Sequence, residues 1–204
     1  MSNYVERFNV VERVLHWTVV VAFFTMVLTG LGLYARTFFG YFSFFGGPQQ
    51  AILFHKWTGV VFFTASVLLA LSHVKELFTF DKDDLQWIKQ FGGYLSKGGE
   101  EIPQGKFNCG QKLFGIFALA ATLVMGVTGL IMWDPAALGR ELTRWSLLLH
   151  SLFFTLFIMG VIVHIYLATI GNPGTLSGML YGHVSRKWAK MHAIKWYRKE
   201  VKDR

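Results

Sequence analysis

Four long apolar runs alternate with polar or Gly-rich connections along the chain. Val14–Tyr34, Ala51–His73, Leu113–Trp133 and Trp145–Ile170 are 21 to 26 residues long, and their only Asp, Glu, Lys or Arg is Lys56. About 20 residues at a 1.5 Å rise cover the ~30 Å hydrocarbon core of a bilayer, so each run predicts a transmembrane helix. Lys56 stands close enough to an interface to snorkel. Between the runs lie a polar arm (1–13), an aromatic Gly-rich loop (36–50), a long Lys-bearing connection (74–112) and a short loop (134–144). Pro48 suits the first turn of the second helix, and Gly171-Asn172-Pro173-Gly174 stops the fourth. Gly115, Gly126 and Gly129 permit close approach to the third helix. Residues 175–204 form a basic tail with Trp and Tyr, suited to the membrane surface. No tandem repeat or low-complexity tract stands out, and 1–204 reads as one membrane domain with the tail at 171–204.

Composition agrees with this layout. The 204 residues are 53% hydrophobic and 16% charged, with a mean hydropathy of +0.40, which describes a membrane protein rather than a soluble domain. A net charge of +8 would suit nucleic acid, but 16 of the 20 Lys and Arg lie in the termini and the long connection. Four spans put those segments on one side, and the positive-inside rule makes it the cytoplasm. No nucleic-acid partner is expected. The single Cys109 allows no internal disulfide and no iron–sulfur cluster, and reads as a small loop residue. Glu6, Glu12 and a 21-residue first run argue against a cleavable signal.

The histidines carry the candidate chemistry. His150 and His164 are 14 residues apart in the last run. At about 100° per residue the second ring returns to within about 40° of the first, roughly 21 Å along the axis. Ionisable groups at membrane depth are costly and usually functional, and neutral imidazole is a common axial ligand of haem iron. A lone histidine serves as readily in an interhelical hydrogen bond; a pair with partners at matching depths favours two stacked b haems. His55 and His150 lie about one turn inside the outer face and pair there. His164 and His16 lie near the inner face. His73, five turns from His55 and on its face, could replace His16 on geometry alone. In Ser72-His73-Val74-Lys75-Glu76, however, it sits at the water boundary, where a histidine needs no ligand role. His183 and His192 belong to the aqueous tail. The predicted fold class is an all-α membrane protein, a four-transmembrane-helix bundle binding two b haems.

Three segments add a resemblance: R-V-L-H-W-T-V-V at 13–20, K-F-N-C-G-Q-K at 106–112, and the tail G-M-L-Y-G-H-V-S-R-K-W-A-K-M-H-A-I-K-W-Y-R-K-E from Gly178. They are similar to the gamma (cytochrome b556) subunits of bacterial respiratory membrane-bound formate dehydrogenases, over almost the whole chain. The histidine pattern alone is shared with the cytochrome b subunits of nickel–iron hydrogenases. The resemblance implies His55 with His150 on the outer haem and His16 with His164 on the inner one. It implies a menaquinone or ubiquinone site beside the inner haem, to which Asn108 and Gln111 contribute; amide NH₂ groups donate to a quinone carbonyl. Asn108 and Gly110 also fit a helix cap and turn. The implied partners are an iron–sulfur (beta) subunit and a molybdenum- or tungsten-pterin catalytic (alpha) subunit that oxidises formate outside the membrane. The implied location is the bacterial inner membrane, multi-pass, with both termini cytoplasmic. This chain would then be the electron-transfer subunit that reduces quinone. Two other classes are a haem-free anchor, with no visible absorbance, and an ion carrier, for which buried acids are expected; the four runs contain none.

Overall fold

A computed structural model of the chain describes residues 3–90, 92 and 102–202. Lys97 and Arg204, counted above, lie outside the described residues, as does the whole segment from 97 to 101 that precedes Ile102. Helices α1 (Val10–Tyr34), α2 (Pro48–Ser72), α5 (Cys109–Ile131) and α6 (Arg140–Tyr166) are the four spans, α6 running on through a π turn to Gly171. The short helices α3 (Val74–Phe78) and α4 (Lys82–Lys89) fill the long connection, and α7 (Leu176–Tyr181), α8 (Arg186–His192) and α9 (Ile194–Lys202) fill the tail.

All four spans begin three to five residues before their apolar runs. The expected starts followed hydropathy, whereas the helices start at their caps. Asn9 Oδ1 accepts from the Glu12 amide at 2.9 Å, and Glu12 Oε2 accepts from the Asn9 amide at 2.7 Å, a capping box. Asn108 and Gln111 form the same box at the start of α5, at 2.9 and 3.0 Å. Pro48 opens α2, and Gly139 at φ 83° precedes α6. Cys109 is therefore a fully buried first residue of α5, not a loop residue. The expected loop after α1 contains a 3₁₀ helix (Arg36–Phe45) with Phe42 buried. A Cβ on Gly32 would stand 2.6 Å from the Phe42 ring, so glycine admits that contact.

The chain divides into two compact units. The first comprises Met1–Arg13, Ala70–Ala118 and Gly160–Arg204. Here strands β1 (Tyr4–Glu6) and β2 (His183–Ser185) pair antiparallel, with Val5 opposite Val184, an element absent from the all-helical expectation. Gly182, at φ 87°, turns the chain into β2, and its carbonyl accepts from the Arg7 and Phe8 amides. Val184, Trp188, Ala189, Ala193, Trp196 and Tyr197 bury one another, so the tail carries a small core of its own. Arg7 is buried, its guanidinium 4.4 Å from the Trp188 ring and 2.9 Å from the Lys106 carbonyl. Burial lowers its pKa to about 9, which still leaves it charged at neutral pH.

Ion pairs close this unit. Lys112 donates to Asp84 at 2.7 Å and to the Thr79 carbonyl at 2.9 Å, tying α4 to α5. Lys195 lies 2.6 Å from both Asp81 and Asp83. Its hydrogen bond holds the Asp81 carboxyl below its ordinary range. This contact contributes stability above the unfolded carboxylate's pKa and loses it as acid protonates Asp81.

The second unit comprises Val14–Leu69 and Leu119–Met159. Phe23, Phe62 and Phe157 meet at ring-centroid distances of 5.4 to 6.3 Å and join α1, α2 and α6. Lys56 donates to the Trp133 carbonyl at 3.0 Å. Across the spans, Val21, Leu53, Leu130, Leu148 and Ile162 are exposed, as lipid-facing side chains are.

Lys112→Met would strand the Asp84 carboxylate in a buried site. The expected cost is about 3–5 kcal/mol, read as a lower midpoint for thermal unfolding in detergent.

Candidate functional site

In the second unit the His55 and His150 rings face each other, their centroids 6.4 Å apart and their planes inclined by 58°. Each ring is tied down by a buried threonine. His55 Nδ1 lies 2.8 Å from Thr29 Oγ1, and His150 Nδ1 lies 2.9 Å from Thr128 Oγ1. The hydroxyls also contact carbonyls four residues back, Thr29 to Thr25 at 2.9 Å and Thr128 to Val124 at 2.7 Å. Glycine follows each threonine. A Cβ on Gly30 would meet His55 Cε1 at 3.3 Å, and one on Gly129 would meet His150 Cε1 at 3.6 Å.

A b haem fits this pair. A metal–imidazole bond of about 2 Å, with about 1.1 Å more from nitrogen to ring centre, puts two trans imidazoles about 6 Å apart. With Nδ1 engaged by threonine, Nε2 is left for iron. Among the described residues no three His, Cys, Asp or Glu converge. Two imidazoles therefore suit a metal whose remaining donors come from a porphyrin.

The other candidates are placed separately. His164, in the first unit, is exposed and stacked on Phe114 at 4.8 Å and 14°. A Cβ on Gly160, one turn earlier, would stand 3.1 Å from Phe114, so glycine lets α5 and α6 meet there. His16, in the second unit, is half-buried and edge-on to Trp17. His73 caps α3, just past the second span, buried edge-on to Phe8 and Phe107 and 3.5 Å from Glu12. Burial and the Lys106 cation outweigh Glu12 and hold its pKa below the ordinary range. His183 lies edge-on to Tyr4, and His192 lies beside Trp188.

Asn108 and Gln111 are half-buried at the head of α5. Their box uses the side-chain oxygens as acceptors, which sets both amides with NH₂ directed away from the helix backbone.

The threonines escaped the sequence reading, although a signal was present. Met26-Val27-Leu28-Thr29-Gly30-Leu31 and Met125-Gly126-Val127-Thr128-Gly129-Leu130 share Met, Thr, Gly and Leu at equal spacing. Each segment precedes, on the previous span, the histidine it holds.

Apolar helices carrying facing imidazoles define a membrane cytochrome b. Comparison with known proteins agrees: the prokaryotic cytochrome b561 family matches residues 7–182. The chain is 31% identical over 201 residues to the cytochrome b556(Fdn) subunit of the nitrate-inducible formate dehydrogenase of Escherichia coli (strain K12), over 97% of this chain and 92% of that one. It is 34% identical over 200 residues to the formate dehydrogenase cytochrome b556 subunit of Haemophilus influenzae, over 96% and 83% of the two chains. The cytochrome b556(fdo) subunit of E. coli formate dehydrogenase is 31% identical over 196 residues, 94% of this chain and 91% of its own. The chain belongs to the prokaryotic cytochrome b561 family, among relatives that are formate dehydrogenase cytochrome b556 subunits. It is a multi-pass membrane protein of a haem-binding family.

Gly126 sits where a Cβ would come within 2.5 Å of Phe63. Gly126→Ala is expected to force α2 and α5 apart at a cost of about 1–3 kcal/mol, visible as a lower unfolding midpoint in detergent.

Proposed function

We propose that this chain is the di-haem b, quinone-reducing electron-transfer subunit of a respiratory formate dehydrogenase in a bacterial inner membrane. The observation that carries the reading is the His55–His150 pair, 6.4 Å between centroids with both Nδ1 atoms engaged. When bound, the two haems supply one-electron redox chemistry that links a partner iron–sulfur subunit to menaquinone or ubiquinone. His55 and His150 hold the outer haem, and His16 and His164 the inner one. His73 is enclosed by Phe8, Phe107 and Glu12, which favours His16 as the inner partner. Apolar spans around the ligands exclude water. Asn108 and Gln111 direct NH₂ groups at a quinone carbonyl near the cytoplasmic face. Formate oxidation belongs to a molybdenum- or tungsten-pterin partner subunit. Both termini face the cytoplasm, because 16 of 20 basic residues lie on their side.

The test is a reduced-minus-oxidised spectrum with a haem count on the purified complex. Two b haems per chain are expected; His55→Ala or His150→Ala should remove one, and His16→Ala or His164→Ala the other. A folded chain with no haem would be an anchor. Asn108→Asp separates capping from quinone binding, because Asp keeps the cap oxygen and loses the NH₂. Thermal stability is expected to hold while quinone reduction falls, with formate still reducing the haems. Unchanged quinone kinetics would remove Asn108 from the site.

A further inference from the structure

We propose that Thr29 and Thr128 are positioning residues that present His55 and His150 to iron through Nε2. This rests on reading those histidines as the outer-haem ligands. A threonine hydroxyl has one proton. Here each hydroxyl faces the carbonyl four residues back, the usual acceptor for a threonine inside a helix. With its proton committed there, Oγ1 accepts from the imidazole, at 2.8 Å for Thr29 and 2.9 Å for Thr128. The Met26 and Met125 carbonyls, which can only accept, lie 3.2 Å from the same two hydroxyls and offer a second acceptor for that one proton. Nδ1 therefore carries the hydrogen, and the lone pair is on Nε2.

In a span the opposite tautomer would set a ring lone pair against an oxygen lone pair, with no bulk water to relieve it. Gly30 helps by leaving room for His55 Cε1, where a Cβ would stand a tight 3.3 Å away, whereas a Cβ at Gly129 would meet His150 Cε1 in ordinary contact at 3.6 Å. The Met-x-x-Thr-Gly-Leu segment occurs once before each histidine, so the first and second pairs of spans each deliver one imidazole in the same state. A hydrogen bond accepted from Nδ1–H raises the basicity of the ligating nitrogen. More basic ligands favour ferric over ferrous iron and lower the outer haem's potential.

The test is potentiometric titration of haem absorbance, with a haem count, on the purified complex carrying Thr29→Val, Thr128→Val or the corresponding serine variants. Valine keeps the shape and removes the acceptor; serine restores it. The valine variants are expected to bind the outer haem about 10–100-fold more weakly, or to retain it at a higher potential. Each tenfold change between ferric and ferrous binding reads as about 59 mV. The inner haem should keep its potential and serve as the folding control. Valine variants with both haems at wild-type potentials would overturn the proposal. So would serine variants as impaired as valine ones, because the role would then be packing. If His55→Ala and His150→Ala both leave the outer haem in place, the ligand assignment fails and takes this proposal with it.

Discussion

A polar atom inside hydrocarbon has no water to turn to, so its partner must come from the protein. Several polar side chains in the spans of this chain follow that constraint. Thr25, Thr155 and Thr169 return their hydroxyls to carbonyls four residues back, and Lys56 reaches the Trp133 carbonyl. His55 and His150 share the problem, and Thr29 and Thr128 answer half of it by engaging Nδ1. The two rings stand 6.4 Å apart at their centroids. A requirement of burial thus fixes the orientation of two neighbouring imidazoles.

The ends of the spans solve a different problem, because there the helix backbone itself is unsatisfied. Asn9 with Glu12 and Asn108 with Gln111 meet the first amides of α1 and α5 through reciprocal boxes. Around them Arg7, Lys106, Lys112 and Asp84 are held by carbonyls, carboxylates and ring faces rather than left to solvent. In the box at Asn108 and Gln111 the cap consumes the side-chain oxygens, so the proposed quinone contact, which would use the nitrogens, would not compete with it.

The glycines mark where backbones or rings come close. Gly126 against Phe63 and Gly160 against Phe114 each join two spans, while Gly30 makes room for the His55 ring. With so few strong polar contacts between spans, close packing is what holds them in register.

The four spans, their membrane character and the His55–His150 pairing were legible in the sequence, since length, hydropathy and a 3.6-residue period are local properties that a bilayer reads directly. The helix starts were not, because caps such as Asn9 and Asn108 lie outside the apolar runs. Nor were the β1–β2 pair and the tail core around Trp188, which join residues nearly the whole chain apart. His73 shares a face with His55, and only the fold sets Phe8 and Phe107 against its ring. Thr29 and Thr128 were present as a repeated Thr-Gly-Leu, but a threonine in an apolar run normally bonds to its own helix. Only the packing of neighbouring spans brings a histidine to that hydroxyl. Sequence determined which residues enter the membrane, because the solvent tests each segment alone; tertiary structure decided which of them meet, because that depends on partners far along the chain.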